Sequence, residues 1–400
     1  MTDWTRLRDD FQLPREVAYF AFMVFASHPR PVASRIEAYR SGLDGSGFPF
    51  FREQSGMRSR EAAPALERYF GVEPGLGALT HGTAMGLAQV LGGVRLAPGQ
   101  EILTSRNEHP ATLDPLRFRS ERDGTPYRQV PLFTDSRTAT ATEILENLAQ
   151  AIRPETRVLV LTWVYSCDGV KLPITQIAQL VTSENERRAG EADRLLLVVD
   201  GVHGFGVEDT TFGELGADFF VSGCHKWIFG PRGTGIIAGR RDAWPHLVPL
   251  IATLAPASPD PALAHIPGGI VAFEHWWALA AAFEYQLDVL GKGRVQKRVR
   301  ELAGRLKAGL AALPGATVVT PASPDLSSGI VCVDVGAMAP RDVLEHLTRE
   351  KIVASQSAWD STADRSHVRF SVTALNTEPE VDRAVHAIAS LLAAAPGPRP

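Results

Sequence analysis

"VSGCHKWIFGPRGTG", residues 221–235, decides the fold. It opens inside an apolar run, "DFFVSG" (218–223), and closes in a glycine-rich turn that leads into another, "GTGIIAG" (233–239). Between the two runs Lys226 stands next to a histidine and a tryptophan. Lysine ordinarily belongs on a solvated surface. Here a strand ends just before it and "WIF" follows at once, a neighbourhood that desolvates an ammonium and lowers its pKa. A lysine tuned in this way forms Schiff bases with carbonyl compounds.

Working outward, the same texture recurs. Short apolar, β-branched runs appear at "EILTS" (101–105), "RQVPL" (128–132), "RVLVLTWV" (157–164) and "RLLLVVD" (194–200). Helical patterns lie between several of them, at Thr83–Val94, Ala141–Ile152 and Ile174–Thr182. Strands separated by helices predict an α/β domain with a mainly parallel sheet. Continuously apolar strands such as "LLLVV" suit a sheet covered on both faces. The polar stretch "SENERRAGEAD" (183–193) reads as a surface loop. After about residue 290 a long helical pattern (293–313) leads into "SSGIVCVDV" (327–335), "HVRFSV" (367–372) and a last helix over 378–393. This shorter alternation predicts a smaller α+β domain, against which the N-terminal segment packs.

Composition narrows the function classes. The chain has 400 residues, 44% apolar and 22% charged, with a formal net charge of −4. That is ordinary globular usage, long enough for two domains or one large one. No basic stripe occurs, so nucleic acid is not expected as a partner. The N-terminus lacks the basic-then-apolar plan of a signal peptide. The longest apolar run near it, "VAYFAFMVFA", is about half the ~20 residues a membrane span needs. The expectation is a soluble, cytoplasmic protein with no membrane partner. Cys167, Cys224 and Cys332 are far apart and fit reduced thiols. No His-Glu-x-x-His or Cys-x-x-Cys occurs, so no metal site is indicated. "FGPRGTG" lacks the Gly-Lys-Ser/Thr end of a phosphate-binding P-loop.

Ligands of open α/β sheets bind outside the carboxyl ends of the strands. Five such ends carry polar groups: Thr80 to Ala84, Glu108 with His109, Ser166 to Asp168, Asp200 with His203, and Ser222 with His225 and Lys226. Asp200 alone reads as a turn carboxylate. One strand before Lys226, it has the spacing for a pyridoxal phosphate (PLP) site, where it would meet the pyridinium nitrogen and preserve the electron sink. The helix opening at "HGTAMG" is a candidate phosphate cradle, although Gly-Thr before a helix is also ordinary capping. His109 offers a flat ring for stacking, or is a turn histidine. Arg369 in "HVRFSV" is an edge residue or a bidentate grip on a carboxylate. Trp227, Phe50, Phe51, Trp276 and Trp359 are core, interface or pocket aromatics.

At this point the chain resembles class V aminotransferase-like, fold type I PLP enzymes over roughly residues 20–395. This family includes cysteine desulfurases, isopenicillin N epimerase-like proteins and amino-acid lyases. "VVDGVHGFG" (198–206), "SGCHKWIFGPRGTG" (222–235) and "VRFSVTALNTEPEVDRAV" (368–385) carry the resemblance. It implies a large PLP-binding α/β domain (20–290) with a mainly parallel seven-stranded sheet. A small α+β domain would form from 1–19 and 291–400. It also implies pyridoxal 5'-phosphate as the cofactor and an amino acid as the small-molecule substrate. By resemblance, Lys226 binds the cofactor covalently and carries protons, Asp200 meets the ring nitrogen, and His109 stacks on the ring. His203 stands near the phenolic oxygen, and Thr83, the Ala84 backbone and His225 hold the phosphate. Ser222 substitutes for the serine that desulfurases place at Gly223, and Arg369 binds the substrate carboxylate.

A desulfurase needs a mobile cysteine near "IVASQSAWDS" (352–361), and none is there. "PGGIVAFEHWWALAAAFEY" (267–285) and "FASHPRPV" (25–32) are similar to a subgroup from siderophore and lincosamide pathways of secondary metabolism. Its members cleave C–S bonds by β-elimination or couple decarboxylation to oxidative deamination. The "PGGI" loop, with Gly268 and Gly269, resembles one that reaches the partner's cofactor phosphate, which implies a homodimer. The expected substrate is a cysteine conjugate or peptide-linked amino acid. The alternatives are an epimerase or aminotransferase, or a catalytically inactive PLP-fold binding protein.

Overall fold

The structure is a computed structural model that describes residues 3–58, 61–188, 190, 193–253, 258–357 and 366–394. Its strands, in chain order, are β1 (Ala18–Tyr19), β2 (Gly77–Thr80), β3 (Glu101–Ser105), β4 (Tyr127–Val130), β5 (Thr156–Thr162), β6 (Leu196–Asp200), β7 (Phe219–Gly223) and β8 (Gly235–Gly239). They continue with β9 (Ala316–Val318), β10 (Ile330–Val335), β11 (Ile352–Val353), β12 (Ser355–Gln356) and β13 (Val368–Ser371). Seven of them make one sheet in the order β2-β8-β7-β6-β5-β3-β4. Only β8 runs against its neighbours; the other pairings are parallel. Every residue of β3, β5, β6, β7 and β8 is buried, which explains why these runs are apolar without alternation.

The parallel register places the ends of three strands side by side. Thr162 on β5 pairs with Asp200 on β6, and Asp200 pairs with Val221 on β7. Helices cover the sheet closely. A Cβ on Gly86, in the helix Thr83–Gly93, would lie 2.5 Å from Val221, so only glycine lets that helix rest on β7. The stretch 183–193 is not all loop. The helix Ile174–Glu186 runs into it, supported by Glu184 pairing with Arg187 at 2.8 Å and Arg188 at 3.2 Å. Residues 189, 191 and 192 lie outside the described residues.

A second core surrounds the antiparallel sheet β12-β13-β10-β9 and the helices Lys292–Ala311, Pro340–Arg349 and Glu378–Ala394. The N-terminal segment serves both cores. Phe11 and Phe22 belong to the first core, while Ala18 and Phe20 belong to the second. β1 pairs with β11, and buried Arg8 makes an ion pair with Glu380. The helices Arg30–Ser46 and Phe48–Arg58 carry Tyr39 and Phe51 onto Trp277, with ring centroids 5.6 and 6.3 Å apart. Among the described residues no helix is long and apolar enough to cross a membrane.

Candidate active site

A cavity of about 750 Å³ opens at the carboxyl ends of β5, β6 and β7. Lys226 projects into it from the turn after β7. That turn is closed by its own backbone: the Phe229 N–H donates to the Lys226 carbonyl, and the Gly230 N–H to Cys224. Phe229 adopts a left-handed φ of 59°, a strained conformation for an aromatic residue. Desolvation lowers the Lys226 pKa to about 8; the Arg369 cation lowers it too, and the Asp200 carboxylate works the other way.

Asp200 ends β6 and is 1% exposed. Its Oδ1 accepts from the Val202 N–H at 3.1 Å, and Thr162 also hydrogen-bonds its side chain. Desolvation pushes its carboxyl up to about 6, and Lys226 offsets part of this. Gly201 follows because a Cβ there would stand 1.8 Å from the Phe220 ring.

Four histidines line the same cavity: His81, His109, His203 and His225. The Trp227 indole N–H donates to His203 Nδ1 at 3.2 Å, so the neutral ring carries its proton on Nε2. That nitrogen lies 3.5 Å from Lys226 Nζ. His109 caps the helix Pro110–Asp123, its Nδ1 accepting from the Ala111 N–H at 3.0 Å. Desolvation, reinforced by Lys226, lowers His109 and His225 to about 4 and holds His203 well below its usual value. All three are therefore flat, uncharged rings at neutral pH.

The helix Thr83–Gly93 begins at the cavity, and Gly82, Thr83 and Ala84 line it. Thr83 Oγ1 accepts from the Gly223 N–H at 2.8 Å, which ties the helix start to the end of β7. Free N–H groups at such a terminus favour an anion.

Thr83, Ala84, His109, Asp200, His203, His225 and Lys226 thus share one cavity. Ser222 does not line it: the side chain is fully buried in β7 and its hydroxyl turns to the Gly223 carbonyl at 3.0 Å. Gly268 and Gly269 do not line it in this chain either; they belong to a loop whose next residue, Ile270, is 91% exposed. Arg369 sits beside the cavity, 2% exposed, donating to the Ser166 carbonyl at 2.8 Å and the Ser355 hydroxyl at 3.1 Å. Of the aromatic candidates, Trp227 orients His203 and Trp276 lies against His81 at 5.1 Å, while Phe51 packs on Phe273 and Trp277. Phe50 packs against the first core, and Trp359 lies outside the described residues. Sequence reasoning missed Asn107, Thr162, Gln89 and Ile251, which line the cavity. Asn107 had a signal, adjoining the polar strand end Glu108–His109; the others lie within apparent strand, helix or loop.

The donor set fits pyridoxal 5'-phosphate. It combines a desolvated amine, a buried carboxyl one strand away, an uncharged flat ring and a helix N-terminus for an anion, around a cavity of suitable size.

Residues 77–384 match the family described as Aminotransferase class-V. The chain is 26% identical to isopenicillin N epimerase of Streptomyces clavuligerus over 98% of its own length and 99% of that protein's. It is 26% identical to a cysteine desulfurase of Pectobacterium carotovorum over 75% of this chain and 72% of that one. Among solved structures, a C-DES mutant with glycine covalently linked to its PLP cofactor superposes with a TM-score of 0.85. That likeness has 21% identity and covers 96% of this chain and 98% of that one.

Proposed function

The chain belongs to the aminotransferase class-V family with pyridoxal 5'-phosphate as its cofactor, and we propose that it cleaves the C–S bond of a cysteine-conjugate or peptide-linked amino acid by β-elimination. Lys226 would hold the cofactor's aldehyde carbon, Asp200 its ring nitrogen, His109 its ring face, and Thr83, Ala84 and His225 its phosphate. Bound there, the cofactor supplies an electron sink that stabilises negative charge at the substrate Cα. Arg369 grips the substrate carboxylate and so sets which Cα bond is aligned for cleavage. Lys226, with a pKa of about 8, takes the Cα proton as a base and holds it for the departing thiolate. His203, fixed by Trp227, keeps a donor directed at the lysine. The balanced reaction converts a cysteine conjugate and water to a thiol, pyruvate and ammonia.

One observation carries this reading. Among the described residues lining the cavity Lys226 is the only amine, and His109, His203 and His225 are held uncharged. A single proton shuttle suits Cα–H loss followed by elimination; inversion at Cα calls for a second acid. Two of the three cysteines argue against sulfur transfer: Cys224 and Cys332 are fully buried, and burial raises both thiols, Cys332 to about 12, while Cys167 is half-buried with its thiol turned to the Asn107 carbonyl. Alignment of the carboxylate bond instead would lead to decarboxylation coupled to oxidative deamination. Epimerisation is the second reading, favoured by the end-to-end likeness to isopenicillin N epimerase. The exposed Ile270 loop supports the homodimer implied by the sequence.

The test incubates holoenzyme with S-substituted cysteines and with cysteinyl peptides, following thiol, pyruvate, CO₂, oxygen uptake and Cα configuration together. Equal thiol and pyruvate release supports elimination. Oxygen uptake with CO₂, or inversion with neither thiol nor pyruvate, would overturn it.

A further inference from the structure

Glu108 lies just before His109 on the loop after β3 and is 3% exposed, yet it does not line the cavity. The Ser105 hydroxyl donates to its Oε1 at 2.8 Å, and the Tyr165 hydroxyl donates to Ser105 at 2.7 Å. The Thr162 N–H reaches both carboxyl oxygens, at 3.2 and 3.1 Å. Thr162 Oγ1 and Glu108 Oε2 are 2.5 Å apart. The Thr162 hydroxyl also acts as a hydrogen-bond partner of the Asp200 carboxyl, which stands beside it in the β5–β6 pairing. Thr162 therefore bridges two buried carboxyl groups, only one of which reaches the cavity.

A hydroxyl has one hydrogen and can donate to only one of those groups. With both carboxyls ionised, one oxygen–oxygen contact would be lone pair against lone pair in a dry interior, beside a second buried negative charge. The chain is satisfied when one end carries a proton. Asp200 faces the Lys226 cation and lines the cofactor cavity, whereas the groups acting most on Glu108 are Thr162, Ser105 and the like-charged Asp200. The negative charge is less costly on Asp200.

We infer that Glu108 is a protonated positioning residue: its carboxylic acid donates to Thr162 Oγ1, Thr162 donates to Asp200, and this relay fixes Asp200 as the anion facing the cofactor. The inference rests on the reading of Asp200 as the group that meets the ring nitrogen. Burial acts in the same direction, raising Glu108 to about 7 against the hydrogen bonds from Thr162 and Ser105.

Glu108→Gln and Glu108→Met separate this role from simple packing. The glutamine amide donates to Thr162 and its carbonyl accepts from Ser105 and the Thr162 N–H, as the neutral acid does. PLP affinity, measured by fluorescence titration, should stay within about threefold in Glu108→Gln and weaken by roughly tenfold or more in Glu108→Met. Equal weakening in both, or a Glu108→Gln chain that fails to fold, would overturn the proposal. Infrared difference spectra of the holoenzyme give a readout independent of affinity. A protonated-carboxyl band that shifts in D₂O should be present, survive in Asp168→Asn and vanish in Glu108→Gln; its absence from the wild type would refute the idea. Asp200→Asn tests the underlying reading separately. Unchanged PLP affinity there removes Asp200 from the ring nitrogen, while the infrared band still reports whether Glu108 is protonated.

Discussion

The protonation of Lys226 can be measured in the apoprotein, where its amine is not consumed by the cofactor. Burial and Arg369 lower the pKa from 10.5 to about 8, with Asp200 acting against them. A displacement of that size corresponds to roughly 3 kcal/mol. At pH 7 it raises the neutral fraction roughly 300-fold over that of a solvated lysine, from a few parts in ten thousand to about a tenth. The perturbations act in opposite directions. Asp200→Asn removes the carboxylate that favours the ammonium and should move the midpoint below 8; Arg369→Met removes the repelling cation and should move it above 8. Reductive methylation with labelled formaldehyde, followed by NMR titration of the signal missing from Lys226→Met, reads each midpoint directly. The three histidines around the amine titrate well below this window, so the curve belongs to the lysine.

Stability carries the same sign. The folded-state pKa lies below the unfolded one, so between about pH 8 and 10.5 the unfolded chain binds more protons and stability rises with pH. Below pH 8 the full cost of about 3 kcal/mol is present. Lys226→Met should therefore stabilise the apoprotein at pH 7, and the gain should shrink toward pH 10.5. A wild-type midpoint above 10, or shifts of the same sign in the two variants, would refute the electrostatic argument.

Other perturbations reach the supports of the site. Trp227→Phe leaves His203 Nδ1 buried without its donor and frees the tautomer, with an expected loss of about 1–3 kcal/mol and an NMR-visible change in ring protonation. Gly201→Ala would drive a Cβ to within 1.8 Å of a Phe220 ring locked against Phe70 and Phe205. Overpacking of this kind costs about 1–3 kcal/mol, readable by urea denaturation, and should weaken PLP binding by displacing the neighbouring Asp200. Arg8→Met strands Glu380 in the second core and should cost about 3–5 kcal/mol in the same assay.

The fold was legible because its central strands are buried on both faces and therefore read as uninterrupted apolar runs. Six of the seven strands of the large sheet stand out in this way or follow a turn, and the register then places Asp200 and Lys226 on adjacent strand ends. The helix Ile174–Glu186 was cut short because a polar run looks like a loop until Glu184 is seen pairing with the arginines that follow it. Ser222 lies at a strand end and by resemblance stands in for the desulfurase serine at Gly223, but a strand alternates its side chains and this one turns away from the cavity.

Glu108 marks the deeper limit. In the sequence it is one more acid beside a histidine; its burial and hydrogen bonds depend on Thr162, a strand away, which itself looks like an ordinary strand residue. Neither residue announces chemistry alone. Together they place a hydroxyl between two carboxyl groups, and the single hydrogen on that hydroxyl forces a choice of which acid is charged. Strand ends in a sequence locate groups that can reach a ligand. The charge those groups carry is decided one layer behind them, by contacts that exist only after the sheet has assembled.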